Sequence, residues 1–576
     1  MVEKIEARAV STRVHWWSVL SISCALGCGT VAGDDDPAAE GGSAATTEGD
    51  PASTESSASE EGSATSGANP TGDATTDDSA DDSDSSGDAM EPWMPGISVT
   101  VQDDLPGGGP IACEWDWTIR LLAPFQNFQE GHAPRRMYFA SCKPPGEPRR
   151  VFSSYTVGEE AESGPDITTG GVTVTQFNPE TGALEVQESH HFPECRSMHG
   201  IAAAEDCSTV AVLCRTPHTT EGADYDAIAG HPAEDWLTNE NTCGSNPPKM
   251  NEHMWLYEWP DGDLSQPPVD VIVHKSIGSW EFGQNYLRYG ENDGTYGIAL
   301  KATVGADTDC HEADSFMILD RSDYTFTNRG WTWACATGHT IHNRPAYDPT
   351  TQQYAMACST DFSNDGHSDR VTISFRMEDD NEDTEMHYAS RYSALWLKGG
   401  AGPLVARPEG GFLSLIVGEP DPVVGGYDDT IPTQLGLLRF DASGQSEGDI
   451  TWVAGDEDSY FSWPQLASLG GDRYLLGWGS GLRVSDMLSG SERNISLRIP
   501  WSYWLMEIDG EGNALTEPME VPGVGWGEVN EMVPMGPGRV AWSYVPDAVI
   551  DPETSEVPDC NQNSLVHYVY TSETMP

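Results

Sequence analysis

The sequence predicts an all-β chain built from repeated small sheets, and three observations carry that expectation. Helix-period apolar patterns are scarce, while short alternating or continuous apolar runs recur along most of the chain. Gly, Asp, Asn and Pro separate those runs, and these are the residues that turn a chain between strands. A unit made of an apolar strand, a Gly/Asp/Pro turn and a second apolar strand then returns at a regular interval.

In chain order, an early copy is drawn from MYFASC at Met137 and VTVTQFNPETG at Val172. Clear copies begin at His199 (HGIAAAEDCSTVAVLC), Asn285 (NYLRYGENDGTYGIAL), Arg344, Pro403, Pro464 and Asn530. Their matching anchors, Ile201, Leu287, Ala346, Val405, Leu466 and Val533, are spaced by 86, 59, 59, 61 and 67 residues. A third strand follows in MWLYEWPDGD from Met254, SFMILDRSD from Ser315, LGLLRFDASG from Leu435 and YWLMEIDGEG from Tyr503, and VHYVY from Val566 serves the last copy. One small sheet cannot bury both of its apolar faces alone, so such units must pack face to face. Units of this size resemble the blades of a β-propeller. Six clear copies and one further copy favour seven blades over six. ISVTVQ from Ile97 is placed to complete a terminal blade and lock the ring, which removes an open edge. No named propeller family is matched. An array of β-sandwiches is the structural alternative, but a spacing near 60 is short for sandwiches of about 100 residues.

The start of the chain gives an address. Lys4, Arg8 and Arg13 precede an apolar or small run from Trp16 to Gly27, too short for a membrane span of roughly 20 residues. Ala25-Leu26-Gly27-Cys28 resembles the lipobox of bacterial lipoproteins, with Ala25 where Leu is commonest. The resemblance implies a signal peptide at 1–27, acylation of Cys28 and attachment to a membrane through that lipid. Cys24 is a second candidate, and ordinary cleavage to a secreted protein is the alternative. Gly29 stands where the family's inner-membrane retention signal has Asp, so the resemblance points to the outer membrane or cell surface. Between Val31 and Glu91 there are 17 Asp/Glu and no Lys, Arg or aromatic residue. Such a stretch cannot offset its ordering entropy by burial, and 28–95 reads as a disordered acidic tether spanning roughly 40–45 Å. The propeller domain is expected at 96–576.

A formal charge of −63 excludes nucleic acid as a partner, because that contact needs positive charge. Twelve cysteines include ten beyond the tether, from Cys113 to Cys560. In an exported chain an even count reads as up to five disulfides, with Cys560 as a candidate tie for the C-terminus. No CxxC pairs occur among the ten, so a zinc cluster is not expected.

Residues opening each innermost strand of a propeller face the central channel. Here that set contains His199, Asn285, His342, Arg344, Trp463, Glu528 and Asn530. It offers one stacking surface and several orienting polar groups, suited to a glycan or a protein ligand. The same residues could also line a water-filled channel and satisfy one another. His190-His191 with His199, and His339 with His342, form the histidine clusters. Calcium is the one cofactor suggested, at Asp361, Asp365 and Asp369; Thr372 stands where an EF-hand would need its bidentate Glu. The function expected is that of a lipid-anchored cell-surface binding or scaffold protein recognising carbohydrate or peptide. The alternative is an extracellular propeller enzyme acting on a polysaccharide or other polymer, with Glu528 and Glu531 as a carboxylate pair.

Overall fold

In the computed structural model the described residues lie between 96 and 573. Outside the description fall 104, 106–112, 116–131, 135–136, 158–170, 180–183, 194, 196, 218–251, 275–285, 304–311, 329–331, 338–343, 361–369, 376–383, 389–400, 419–433, 456–459, 482–501, 523, 527–529 and 545–563. No helix occurs among the described residues. Among the described residues seven antiparallel sheets of four or five strands follow one another, together with a separate two-stranded pair, Cys113–Trp115 with His132–Pro134.

The first strands of the seven sheets are Tyr138–Cys142, Ser197–Ala203, Tyr286–Gly290, Arg344–Asp348, Ala401–Ala406, Tyr460–Ser468 and Val533–Pro534. Each touches the first strand of the next sheet, and the seventh touches the first. The sheets are therefore blades of a closed β-propeller, with their first strands around the axis. The seventh blade draws on both ends of the domain. Gly96–Gln102 pairs with Leu565–Thr571, which pairs with Arg539–Tyr544 and so with Val533–Pro534. ISVTVQ thus completes the terminal blade and closes the ring, as expected from the sequence.

Near-continuous burial along the middle strands follows from this packing, because both faces of a blade meet a neighbour. Between the fifth and sixth blades Leu413, Leu415 and Leu437 meet Leu466, Leu476 and Met506. Phe139, Val151 and Phe177 of the first blade meet Ala541 and Val569 of the seventh. Trp259, Trp526 and Trp542 are fully buried, so these tryptophans serve the packing. Two disulfides are described. Cys142–Cys207 staples the first blade to the second, and Cys195–Cys214 ties the entry of the second blade to its second strand. Cys560 lies outside the described residues.

The turns between first and second strands gather at one end of the ring and bind one another. Lys143 N–H donates to the Glu205 carbonyl (2.6 Å), Glu205 N–H to Glu291 Oε1 (2.8 Å), and Gly538 N–H to the Leu469 carbonyl (2.6 Å). Asp348 is wholly buried and accepts from Thr350 N–H (2.8 Å) in its own turn and from Gly411 N–H (2.7 Å) in the next blade. Gly411 has φ +85°, and a Cβ there would collide with the Phe440 carbonyl. Gly411→Ala should therefore cost about 2 kcal/mol or more, read as a lower urea midpoint. Gly471 also has positive φ (+58°) but open space around it. Its alanine variant should lose less, which separates collision from backbone strain.

Candidate functional site

Arg288, in the first strand of the third blade, forms an ion pair with Glu531, which lies just before the first strand of the seventh. Those blades are not neighbours in the ring, so the pair must cross the central channel. Arg288 Nε also donates to the carbonyl of Pro345 in the fourth blade (3.0 Å), and Nη1 to the Leu287 carbonyl (3.2 Å). Glu531 is 4% exposed and Arg288 27%, so water reaches the cation but hardly the acid. Burial works against the Arg288 charge, yet Glu531 outweighs it and holds the guanidinium above its ordinary pKa. The Tyr138 and Tyr286 rings, from the first and third blades, meet edge to face at 5.8 Å. Tyr286 and Arg288 stand two residues apart, on the same side of one strand.

Neither member of the pair is replaceable alone. Glu531→Ala leaves a largely enclosed guanidinium without its carboxylate, and Arg288→Ala leaves the converse. Each should cost about 2–4 kcal/mol, whereas the double variant should cost about 1–3 kcal/mol less than the sum. A cycle of urea midpoints measures this, and additivity would show that the two do not act together.

Of the residues expected to face a ligand, four are described, and all are buried. His199 is 7% exposed, at the bulge between Met198 and Gly200. Arg344 opens its strand at 1% exposure. Trp463 sits in a left-handed backbone conformation (φ 52°) in the core between the sixth and seventh blades. Its ring packs near Tyr503 (6.3 Å), and its carbonyl accepts from Trp526 Nε1 (3.0 Å). Asn530 donates through Nδ2 to the Ser543 carbonyl (3.0 Å). Asn285, His342 and Glu528 lie outside the described residues, as do Cys28 and the calcium candidates Asp361, Asp365 and Asp369. Among the described residues no group of three or more His, Cys, Asp or Glu is arranged to hold a metal ion. His190 and His191 are consecutive in one strand and so point to opposite faces. The His190 ring packs tilted against Phe192 (4.5 Å), while His191 Nδ1 bonds Thr173 Oγ1 (3.0 Å).

Several polar constellations were not read from the sequence. Glu258 and Glu507 hold equivalent third-strand positions and are 1% and 0% exposed. Glu258 accepts from Arg321 Nε (2.5 Å), Thr209 Oγ1 (2.9 Å) and Tyr324 (3.1 Å). Glu507 pairs with Arg473 and accepts from Tyr570 (2.7 Å). Ser543 Oγ bonds His567 Nδ1, and His567 Nε2 bonds Gln102 Oε1 (3.0 Å). That Ser–His pair is 1% exposed at each member, too enclosed for a substrate to reach. Sequence reasoning also passed over a G-x-S-x-G string at Gly444–Gly448. It forms a hairpin turn in which the Ser446 hydroxyl donates to the Gly448 carbonyl (3.2 Å), not the strand-to-helix elbow a nucleophile needs.

No family model matches the chain, and no curated protein matches it. Among solved structures, hydrazine synthase of Kuenenia stuttgartiensis is 9% identical over 68% of this chain and 96% of that one, with TM-score 0.35. The β-propeller domain of the trilobed protease from Pyrococcus furiosus is 10% identical over 71% of this chain and 89% of that one, with TM-score 0.34. A Trypanosoma rangeli sialidase mutant displaying trans-sialidase activity is 12% identical over 67% of this chain and 57% of that one, with TM-score 0.32. Likeness at this level carries no information about activity.

Proposed function

We propose that the chain is a recognition or scaffold propeller displayed at the cell envelope on a lipid-anchored leash. One observation carries the binding half of this reading: the two kinds of connection between strands differ in length. At one end, short turns between first and second strands bind each other across the blades. Second strands are joined to third strands by longer stretches of sequence, such as 158–170, 218–251, 419–433 and 482–501, which lie outside the described residues. Long connecting sequences between strands are a usual place for recognition. Three buried acids near the axis and in the seams are held by arginines, Glu531 by Arg288, Glu258 by Arg321 and Glu507 by Arg473, which suits support of the ring more than proton transfer.

The ligand proposed is a glycan or peptide met by those longer connections. Glycan and peptide arrays probed with the full chain should give hits that vanish when 218–251 is replaced by a short Gly/Ser linker. Hits that survive the replacement would move the site elsewhere, and no hits would favour a scaffold. The anchoring half rests on the lipobox-like Ala25-Leu26-Gly27-Cys28 and the acidic run after it. Mass spectrometry of the mature N-terminus should find diacylglycerol on Cys28; an unmodified Cys28 would remove the anchor.

A further inference from the structure

We infer that the junction where the first strand of the domain meets the last is an acid-sensitive latch, closed by the neutral imidazole of His567. His567 lies in Leu565–Thr571, the strand paired on one side with Gly96–Gln102 and on the other with Arg539–Tyr544. Its ring joins all three. Gln102 Oε1 can only accept, so Nε2 carries the proton, and Nδ1 is left to accept from the Ser543 hydroxyl. The ring also packs on Phe177 of the first blade, centroid to centroid 4.6 Å, and near Phe139 at 6.2 Å. Gln102 then reaches Tyr155 (3.5 Å), Tyr155 meets Thr175 (3.4 Å) and Thr175 meets Ser189 (3.1 Å). One polar chain thus runs from the seventh blade through the closing strand to the outer strand of the first.

Every group packed on the ring is uncharged. Gln102 comes from the closing strand, Ser543 from the strand on the other side, and Phe139 and Phe177 from the first blade. Tyr155, reached through Gln102, is kept protonated because burial pushes it up to about 12. None of these contacts brings a carboxylate, so a second proton on His567 would sit as an unpaired buried charge and would reverse the bond with Ser543. Burial accordingly pulls His567 down to about 3, from an ordinary value near 6.5. The sign follows from linkage. Below pH 6.5 the opened junction binds a proton that the closed one refuses. The closed-to-open ratio therefore falls roughly tenfold per pH unit between 6.5 and about 3, and is insensitive to His567 above 6.5.

Hydrogen exchange of the full chain tests this, read as protection factors for 96–102 and 565–571 against 354–357 in the fourth blade. From pH 6.5 to 4.5 the junction should lose about fiftyfold in protection relative to the fourth blade, and His567→Gln should flatten that slope. Equal losses in both regions, or an unchanged slope in His567→Gln, would overturn the latch. A second measurement does not depend on a variant that folds. Histidine-selective 13C labelling of the wild type should show His567 resisting protonation down to pH 4, and a titration midpoint near 6.5 in the folded protein would refute it.

Discussion

A chain that starts at residue 103 should fold its middle blades and fail to close its ring. Gly96–Gln102 supplies a seven-residue ladder to Leu565–Thr571, and Gln102 bonds His567 at 3.0 Å. Val99 and Val101 are 54% and 53% exposed, so the strand contributes through backbone pairing more than apolar burial. At about 0.5–1.5 kcal/mol net for each hydrogen bond, its removal should cost several kcal/mol. It would also leave Leu565–Thr571 as an open edge, which invites strand addition from a second copy. The measurement is a urea unfolding curve with hydrogen exchange. The midpoint should fall, and protection should be lost in the seventh and first blades before the fourth. Adding GISVTVQ as a free peptide should restore part of it. An unchanged midpoint would mean that the ring is held by seam packing alone.

The architecture was legible because its signals are local. A strand with both faces buried reads as an apolar run, and the turns carry their own chemistry. In FDASG and IDGEG the aspartate accepts from backbone N–H groups two and four residues on, Asp441 from Ser443 (2.8 Å) and Gln445 (3.0 Å), Asp509 from Glu511 (3.0 Å) and Asn513 (2.8 Å). The closing strand was legible as a short apolar run directly after a long polar one.

The channel was not legible in this way. Arg288 occupies an unremarkable place in NYLRYGENDG, and Glu531 lies 243 residues away. Only a closed ring brings them together, and no pattern within either segment encodes that distance. The rule that strand-opening residues face the axis holds for a strand with one wet face. Arg344 opens its strand, His199 and Trp463 lie inside theirs and Asn530 precedes one, and each is at most 8% exposed. Likewise Gln102 and His567 are 465 residues apart, joined by pairing of the two ends of the domain.

Glu507→Ala should be among the most damaging single substitutions outside the glycines, and Glu258→Ala should match it. Both residues sit where a third strand is about to enter its turn, E-I-D and E-W-P-D, and both are held by an arginine and a tyrosine. The tyrosine comes from the following blade in each case, so the carboxylate bonds across a seam. Alanine removes the acid and leaves the arginine facing a void. Breaking a buried pair in this way costs about 3–5 kcal/mol. Arg473 and Arg321 keep 21% and 28% exposure, which lets water partly replace the lost partner and sets the expectation near the lower bound. The asymmetry of buried pairs supplies the control. Replacing both Glu507 and Arg473 with leucine removes charge and counter-charge together, and should cost less than Glu507→Ala alone, although Tyr570 then loses its acceptor. Urea midpoints of the two single variants and the double decide it. A Glu507→Ala loss below about 1 kcal/mol would mean that the carboxylate is a passenger in a seam held by its apolar neighbours.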